Sequence, residues 1–323
     1  MPTLSAIYIR LPNWIGDVCM SLPSLQAVLN TQMPVVVCAR PWARELLAGY
    51  DLSGFVEMKG RWREDRAAVH AHRKKARHAH ARGLLLPDSL SSAMVFKFAG
   101  LPCAGYRDDG RSLILRWPVS KPAASLHAVQ SWYYVTSQAL KRWNLPVEPT
   151  HPPAQLGLPL AGKQLARGRQ ALQNAGLAPG KFILIAPTAT GLHHGKAKVW
   201  PYFEGLVQAL QSKGYAVAMC PPAAEAEAAR RNAPSALCLP TLDLAAFATL
   251  AQLASLVICN DSGVSHLAAA ANARQLTLFG VTDRAHTGPW SRKATCLGSA
   301  QQWPSLAEVQ SQTCTLLHIE PGT

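Results

Sequence analysis

The chain has 323 residues, of which 49% are hydrophobic and 15% are charged, and its formal net charge is +14. This length is too great for one ordinary core and suits two domains of about 100–200 residues, each with a sizeable core. The excess charge is concentrated in residues 1–145, which carry 19 basic and 9 acidic side chains. It favours an anionic partner such as a phosphorylated lipid, a membrane face or nucleic acid.

The cysteines and the N-terminus argue against several classes of protein. None of the eight cysteines forms a Cys-x-x-Cys pair, and several lie in apolar runs, which favours buried reduced thiols over a disulfide framework or a zinc site. The N-terminal residues lack the basic segment and long apolar core of a signal peptide. No apolar run approaches the roughly 20 residues that span a bilayer. We therefore expect a cytoplasmic protein that could rest on a membrane surface.

Short apolar runs alternate with longer helical patterns along the first half of the chain. The predicted strands are residues 6–11, 35–39, 55–58 and 83–86. The predicted helices are residues 17–29, 43–48, 63–82, 92–99 and 127–143. Residues 145–179 are rich in proline, leucine and glycine, which predicts an interlobe linker followed by the start of a second domain.

The second half repeats this alternation. Its predicted strands are residues 182–186, 216–220, 236–239, 256–259 and 275–279, and its predicted helices are 202–213, 225–232, 244–254 and 265–273. Apolar strands that alternate with helices predict a parallel sheet covered on both faces. We therefore predict an α/β protein with two Rossmann-like lobes, 1–150 and 151–323, whose sheets face a cleft. Ligands of such sheets bind at the carboxyl ends of the strands.

The first candidate segment is Arg10-Leu-Pro-Asn-Trp-Ile-Gly-Asp17, which directly follows the first strand. Gly16 permits a tight turn into the next helix, and Asp17 lies near the start of that helix. Asp17 could cap the helix, which is a common role for aspartate. It could instead be a carboxylate that accepts a proton from an incoming hydroxyl, because a helix N-terminus favours its ionised form.

Two further segments follow strands of the second half. In residues 186–201, Thr188 and Thr190 offer hydroxyls and Lys198 offers an ammonium group, a combination that suits a diphosphate; a flexible basic loop is the alternative. In residues 258–270, a buried strand runs through Asp261 and Gly263 into a helix of small residues that contains His266. The free N–H groups of a helix start form an anion site, although Asp261 could be a cap and His266 a core histidine.

One further loop and several absent motifs limit the reactions that the protein could catalyse. Residues 279–290 combine turn residues with an aromatic end and predict either a structural loop or a wall of a base or sugar pocket. No Asp-x-Asp sequence occurs, so a metal clamp on a diphosphate has no obvious source, and lysine and helix dipoles would have to stabilise the leaving group. The sequence has neither a Walker A loop nor a Gly-x-Ser-x-Gly elbow, which argues against a P-loop NTPase and a serine hydrolase.

Taken together, these segments resemble the motifs of glycosyltransferase family 9, the ADP-heptose:lipopolysaccharide heptosyltransferases. A single match would be weak, but the pieces fall in the expected order over nearly the whole chain. The matching pieces are residues 10–17 with 20–25, residues 86–93 with 99–102 and 105–107, Lys198-Val-Trp-Pro, residues 260–270 and residues 279–283.

The resemblance implies a GT-B fold and metal-independent, inverting transfer of heptose from ADP-heptose to the lipopolysaccharide inner core, an anionic acceptor. No cofactor beyond this donor substrate is implied. Asp17 becomes the candidate general base, and His266 would support the donor pocket. The implied donor contacts are Lys198 to the phosphates with Thr188 and Thr190 assisting, Asp261 to the sugar, and Ser262, Gly263, Val264 and Ser265 along the diphosphate.

Two segments depart from the pattern. The family usually has a glycine-containing turn before an acidic residue that meets the ribose, whereas this chain has Pro221-Pro222 before Glu225. Glu225 could still reach the ribose, and a GT-B transferase with another sugar nucleotide or acceptor is the alternative. Residues 66–82 carry four histidines that could suggest a metal site, but we interpret the segment as a solvated helix face that could help to dock an anionic acceptor or a membrane.

A basic nucleic-acid-binding protein is the remote alternative, motivated by the net charge of +14. Aromatic residues are not interleaved with the basic run, and such a protein would leave the loop motifs unexplained. We therefore expect no nucleic-acid partner.

Overall fold

The computed structural model describes residues 4–190, 192–193 and 196–317. The chain divides into two compact units, Met1–Pro153 and Ala154–Thr323. The boundary lies three residues beyond the one that we predicted from the sequence. Each unit contains one six-stranded sheet flanked by helices, and every strand pair in the two sheets is parallel. The predicted α/β class with two Rossmann-like lobes is confirmed.

The sheet of the first unit has the strand order β3-β2-β1-β4-β5-β6. Its strands are β1 (Ile7–Arg10), β2 (Val35–Ala39), β3 (Gly54–Glu57), β4 (Arg82–Leu85), β5 (Cys103–Tyr106) and β6 (Trp117–Val119). The helices of this unit are α1 (Ile15–Leu29), α2 (Ala43–Leu46), α3 (Trp62–Lys75), α4 (Leu90–Phe98) and α5 (Ala128–Arg142).

The sheet of the second unit has the order β11-β10-β7-β12-β13-β14. Its strands are β7 (Phe182–Ala186), β10 (Ala216–Met219), β11 (Leu237–Cys238), β12 (Leu256–Asn260), β13 (Gln275–Phe279) and β14 (Ala294–Gly298), and a separate two-stranded pair is formed by β8 (Leu192–His193) and β9 (Lys196–Ala197). The helices are α6 (Gly162–Asn174), α7 (Phe203–Ser212), α8 (Ala226–Asn232), α9 (Leu244–Leu253), α10 (Gly263–Ala270), α11 (Arg284–Thr287) and α12 (Leu306–Leu317).

The strand order places the candidate loops at the point in each sheet where the direction of the crossovers reverses. In each sheet the first strand, β1 or β7, lies between strands reached by crossovers in opposite directions. Such a topological switch point leaves a crevice at the carboxyl ends of the neighbouring strands, where ligands of open α/β sheets bind. The turn that leads to Asp17 in the first turn of α1 follows β1, and the loops that contain Thr188 and Asp261 follow β7 and β12.

The strongest sequence signals belong to the central strands. β2, β7 and β13 begin and end at the predicted residues, and every residue in them is buried. Strands β5, β6, β8, β9 and β14 and helices α11 and α12 were not predicted from the sequence. β6 has three residues with a proline at an edge of the sheet, and β14 is an edge strand with no fully buried residue. Edge strands tolerate proline and need no continuous apolar run, so their pattern is weak.

Helix α3 ends at Lys75 rather than at residue 82 as predicted. Arg77 adopts a left-handed conformation with a φ of 54°, and the chain then turns into β4. The interpretation of the histidines as one solvated face is wrong for two of them. The Nδ1 atoms of His72 and His78 lie 2.9 and 3.0 Å from the hydroxyl of Tyr8 on β1. Burial is the largest cause of the lowered pKa of both imidazoles.

The eight cysteines are free, and six of them are buried. Among the residues that the structure describes, no helix has the length and apolar character that crossing a membrane requires.

Candidate functional site

Asp17 lies in the first turn of α1, at the carboxyl end of the central strand β1. The residue that caps this helix is Trp14, whose side chain makes no capping hydrogen bond. The alternative in which Asp17 caps the helix is therefore wrong. Asp17 is half-buried, and burial raises the pKa of its carboxyl group. A carboxylate whose pKa is raised in this way is a stronger base than an exposed aspartate.

The loop before Asp17 is held by Arg10, a cation that is only 4% exposed. Its guanidinium donates to the carbonyls of Leu11 and Cys38, and its Nη2 donates to Oδ1 of Asn13 at 2.6 Å. Buried arginine requires such partners because an unpaired buried charge is costly. Arg10 thus fixes the turn from β1 into α1, and with it the backbone that carries Asp17.

In the second unit, the loops after β7 and β10 meet through Thr188 and Glu225. The hydroxyl of Thr188 donates to Oε2 of Glu225 at 2.5 Å, and both side chains are half-buried. Pro222 has an extended backbone, and a single 3-10 turn at Ala223–Glu225 follows it. The Pro221-Pro222 departure from the usual motif therefore still places Glu225 beside the β7 loop.

Lys198 precedes a firmly anchored tryptophan. Trp200 is 1% exposed and packs within the core cluster of the second unit. Its indole Nε1 donates to the carbonyl of Pro304 at 2.8 Å, and its backbone N–H donates to Oδ1 of Asn260 at 2.9 Å. Lys198 is half-buried two residues before this anchor, whereas Thr190 is exposed. Gly191, His194 and Gly195 of this predicted loop lie outside the described residues.

The loop after β12 presents Asp261 and the start of α10. Asp261 is 7% exposed, and its Oδ2 accepts a hydrogen bond from the hydroxyl of Thr282 at 2.6 Å. The cap of α10 is Ser262, whose hydroxyl accepts from the N–H of Val264, so the interpretation of Asp261 as a cap is wrong. The hydroxyl of Ser265 donates to the carbonyl of Ser262 at 2.8 Å.

The remaining predicted residues fall at the same end of the helix. Gly263 and Val264 form its first turn, and His266 is buried one residue beyond Ser265. The N–H of Gly263 and the helix dipole favour an anion at this end of α10. A cavity of about 310 Å³ opens beside Thr282, and Arg284, Ser299 and Gln301 help to line it.

Thr188, Glu225 and Asp261 thus follow the carboxyl ends of β7, β10 and β12 in one unit, and Lys198 lies two residues before Trp200, whose N–H is bonded to Asn260 at the end of β12. Asp17 belongs to the other unit. Within the described part of the chain, no group of three or more His, Cys, Asp or Glu side chains has an arrangement that could hold a metal ion.

Comparison with known proteins decides the family. The family model described as glycosyltransferase family 9 (heptosyltransferase) matches residues 69–317. The chain belongs to glycosyltransferase family 9. It is 28% identical to lipooligosaccharide heptosyltransferase 2 of Haemophilus influenzae, over 88% of this chain and 86% of that protein. It is also 28% identical to lipopolysaccharide heptosyltransferase 2 of Escherichia coli, over 88% and 85% of the two chains.

Solved structures show the fold of this family 9 enzyme. The structure of ADP-heptose lipopolysaccharide heptosyltransferase II from Escherichia coli has a TM-score of 0.76 at 24% identity, and the likeness covers 97% of this chain and 98% of that one. The GT-B fold that we predicted is therefore confirmed, and the chain is a glycosyltransferase.

Two functional candidates in this family 9 enzyme escaped the sequence analysis. Asn260 ends β12 with its side chain fully buried, and its amide contacts the β7 loop as well as Trp200. Thr282 holds the carboxylate of Asp261. Both stood within motifs that the sequence analysis had singled out, so the available signal was a polar residue at the carboxyl end of an apolar strand.

Proposed function

We propose that this enzyme transfers heptose from ADP-heptose to the inner core of lipopolysaccharide, with inversion at the anomeric carbon. The observation that supports the proposal is that Thr188, Glu225 and the N-terminus of α10 follow the carboxyl ends of three parallel strands of one unit, with Thr188 bonded to Glu225; Lys198 lies two residues before Trp200, which is bonded to Asn260 beside α10. Such groups suit the phosphates and ribose of a nucleotide sugar. The names of the two relatives supply the transferred sugar and the class of acceptor.

The first step of the proposed mechanism belongs to Asp17. Its carboxylate accepts the proton of the acceptor hydroxyl as the oxygen forms a bond to the anomeric carbon. The bond from that carbon to the diphosphate oxygen breaks at the same time, and its electron pair leaves with ADP. Because attack and departure occur on opposite faces, one displacement inverts the anomeric centre.

The leaving diphosphate gains negative charge as this bond breaks. In the proposal, Lys198, the N–H of Gly263 and the dipole of α10 stabilise that charge without a metal ion, with Val264 alongside the diphosphate, since preorganised donors act on charge as it develops. Thr190 assists at the phosphates, Ser262 and Ser265 line the diphosphate, Asp261 contacts the sugar, and His266 supports the pocket. The hydrogen bond from Thr282 to Asp261 supports this sugar contact, because it fixes the carboxylate in one orientation.

The proposed contact of Glu225 with the ribose of the donor leads to a separate prediction. We expect Glu225→Gln to weaken ADP binding by about tenfold, because a hydrogen bond to a charged acceptor is worth roughly 1.5–3 kcal/mol and a neutral one about 1 kcal/mol. Glutamine can still accept from Thr188, so the β7 loop keeps that contact. Titration calorimetry with ADP and with 2′-deoxy-ADP checks the assignment, since loss of the 2′-hydroxyl should cost less affinity in the variant.

The matched control is Glu227→Gln, which alters an exposed carboxylate two residues further along, in α8, that is paired with Arg231. It should bind both nucleotides as the unaltered enzyme does. Equal weakening of ADP and 2′-deoxy-ADP by Glu225→Gln would contradict a ribose contact.

Product formation tests the proposed reaction. The protein is incubated with ADP-heptose and a panel of lipopolysaccharide inner-core acceptors, and released ADP and the anomeric configuration of the product are measured. The proposal expects ADP release that depends on the acceptor. No release with any inner-core acceptor refutes it, and release from a UDP-, GDP- or dTDP-sugar instead would identify a different donor.

Addition of EDTA tests metal independence, because a metal-free mechanism predicts an unchanged rate.

We also infer that the first unit docks on an anionic membrane, where a lipid-linked acceptor would lie. Four segments that follow carboxyl ends of its strands expose large apolar side chains: Trp14, 75% exposed, Trp62, 45%, Leu90, 41%, and Leu113, 92%. Carboxyl ends of parallel strands lie at one edge of a sheet, so these side chains share that edge. Apolar side chains together with the basic excess of this unit suit an anionic lipid surface.

Vesicle sedimentation checks this docking surface. The enzyme should bind vesicles that contain phosphatidylglycerol, and Trp62→Ser with Leu113→Ser should weaken binding by about tenfold or more, since burial of each apolar side chain is worth roughly 1.5–3 kcal/mol. Phe98→Ser is the matched control, because Phe98 is 58% exposed at the end of α4, on the opposite edge of the sheet. Equal effects of the two changes would refute this surface.

A further inference from the structure

Asn260 is a fully buried amide that joins three segments of the second unit. It is the last residue of β12, and its side chain is 0% exposed. Its Oδ1 accepts from the backbone N–H of Trp200 at 2.9 Å. Its Nδ2 donates to the carbonyls of Ala186 and Thr188, each at 3.3 Å. Both protons and one acceptor site of the amide are therefore used.

Only an amide meets this set of partners at this size. An asparagine side chain offers two donors and an acceptor on one short arm. A carboxylate in its place would set negative charge against two carbonyl oxygens, and an aliphatic side chain would leave buried backbone groups without partners. A buried polar group without a partner lowers the stability of the fold by more than an ordinary hydrogen bond raises it. The side chain is thus fitted to hold these particular peptide groups.

The contacts of Asn260 orient the β7 loop. In a trans peptide the carbonyl and the following N–H point in opposite directions. Because the carbonyl of Thr188 points at Asn260, the N–H of Ala189 points away from it. The carbonyl of Pro187, between the two that Asn260 holds, accepts from the amide of Asn232 at 2.7 Å. The three successive carbonyl oxygens thus accept hydrogen bonds from side-chain amides of the protein. They therefore do not point at the negatively charged phosphates that this loop is proposed to bind.

The third contact of Asn260 acts on Lys198. Trp200 is fixed at its indole by Pro304 and at its backbone N–H by Asn260. Lys198 lies two residues before this double anchor, and Asp261 directly follows Asn260. One buried amide therefore connects the segments that carry Thr188, Lys198 and Asp261.

We propose that Asn260 is a positioning residue for the donor diphosphate. It orients the Thr188–Ala189 peptide and the Lys198 segment before the nucleotide arrives, and it touches no substrate atom itself. The inference rests on the proposed function, since it assumes that these segments bind a nucleotide sugar. A purely structural asparagine would contribute to folding without favouring one part of the ligand over another.

The test compares ligands that do and do not carry phosphate. Asn260→Asp keeps the shape and the acceptor atom but loses both donors, and Asn260→Ala loses all three contacts. We expect either variant to bind ADP at least about tenfold more weakly, as expected when charge-assisted contacts to phosphate are lost, and to bind adenosine with little change. Calorimetry measures both affinities, and thermal unfolding reports the folded fraction.

Hydrogen exchange supplies a readout that needs no nucleotide. Exchange at the Trp200 amide and across residues 186–190 should accelerate in both Asn260 variants. Val257→Ala is the matched control, because Val257 is a fully buried residue on the same strand that lies outside the core cluster to which Trp200 belongs. It should lower stability modestly while leaving both affinities and the Trp200 exchange rate unchanged.

The outcomes separate the inference from the proposed function. If the unaltered enzyme binds ADP and a folded Asn260 variant binds it equally well, the positioning role is overturned and the proposed function stands. Equal weakening of ADP and adenosine also overturns the role, since it reveals only a structural contribution. If the unaltered enzyme binds no ADP or ADP-sugar, the proposed function fails, and the exchange rates still report whether Asn260 anchors Trp200.

Discussion

Replacing Asp17 with asparagine is expected to lower kcat by about 10²–10⁴-fold, the range by which a positioned general base accelerates a reaction. Asparagine matches aspartate in shape but cannot accept the proton of the acceptor hydroxyl. The Kd of ADP should stay within about twofold of the original value, because every proposed donor contact belongs to the second unit. Single-turnover kinetics with ADP-heptose and calorimetry with ADP measure the two quantities.

The pH profile adds a second readout for Asp17. Burial raises the pKa of its carboxyl group, so the group stays protonated, and inactive as a base, to a higher pH than an exposed aspartate would. The acid limb of kcat/KM should therefore lie above the ordinary range of aspartate and should vanish in Asp17→Asn. Asp51→Asn, an exposed residue of the same unit, is the matched control. Turnover that survives in Asp17→Asn would remove this residue from the chemical step.

Replacing Lys198 with methionine should lower donor affinity and turnover together. Loss of a hydrogen bond to a charged group costs roughly 1.5–3 kcal/mol, which weakens ADP binding by about 10–100-fold. Loss of a donor to the leaving group should lower kcat by about 10²–10³-fold, because the charge on the diphosphate grows in the transition state. Methionine preserves much of the apolar stem, so packing around this half-buried side chain is retained.

Thermal unfolding with ADP measures the binding effect of Lys198→Met. At 100 times its Kd, ADP should stabilise the unaltered enzyme by about 2.7 kcal/mol, and a hundredfold weaker variant should gain only about 0.4 kcal/mol. Lys181→Met, an exposed lysine of the same unit, should keep the full stabilisation. Unchanged ADP affinity in Lys198→Met would assign the phosphate contact to other groups.

The sequence by itself determined the class of fold and most of the candidate residues. Central strands such as Val35–Ala39 and Phe182–Ala186 are continuous apolar runs because both faces of a parallel sheet are covered. The polar residues that directly follow such strands were readable as candidates, because carboxyl ends of parallel strands collect at one edge. Asp17 and Asp261 were found in this way, and the order of the motifs indicated the family that the comparisons then showed.

Only the tertiary structure decided which groups meet and what each one holds. The partners of Asn260 lie 60 to 74 residues away, and Thr188 meets Glu225 across 37 residues. No local pattern encodes such pairs, because they depend on strand order and on how loops turn at the sheet edge. The end of α3 at Lys75 shows the same limit, since a helical pattern continues through His78, whereas the chain leaves the helix at Arg77 and His78 contacts Tyr8 on β1. Periodicity reports which face of an element is buried, and packing decides what that face touches.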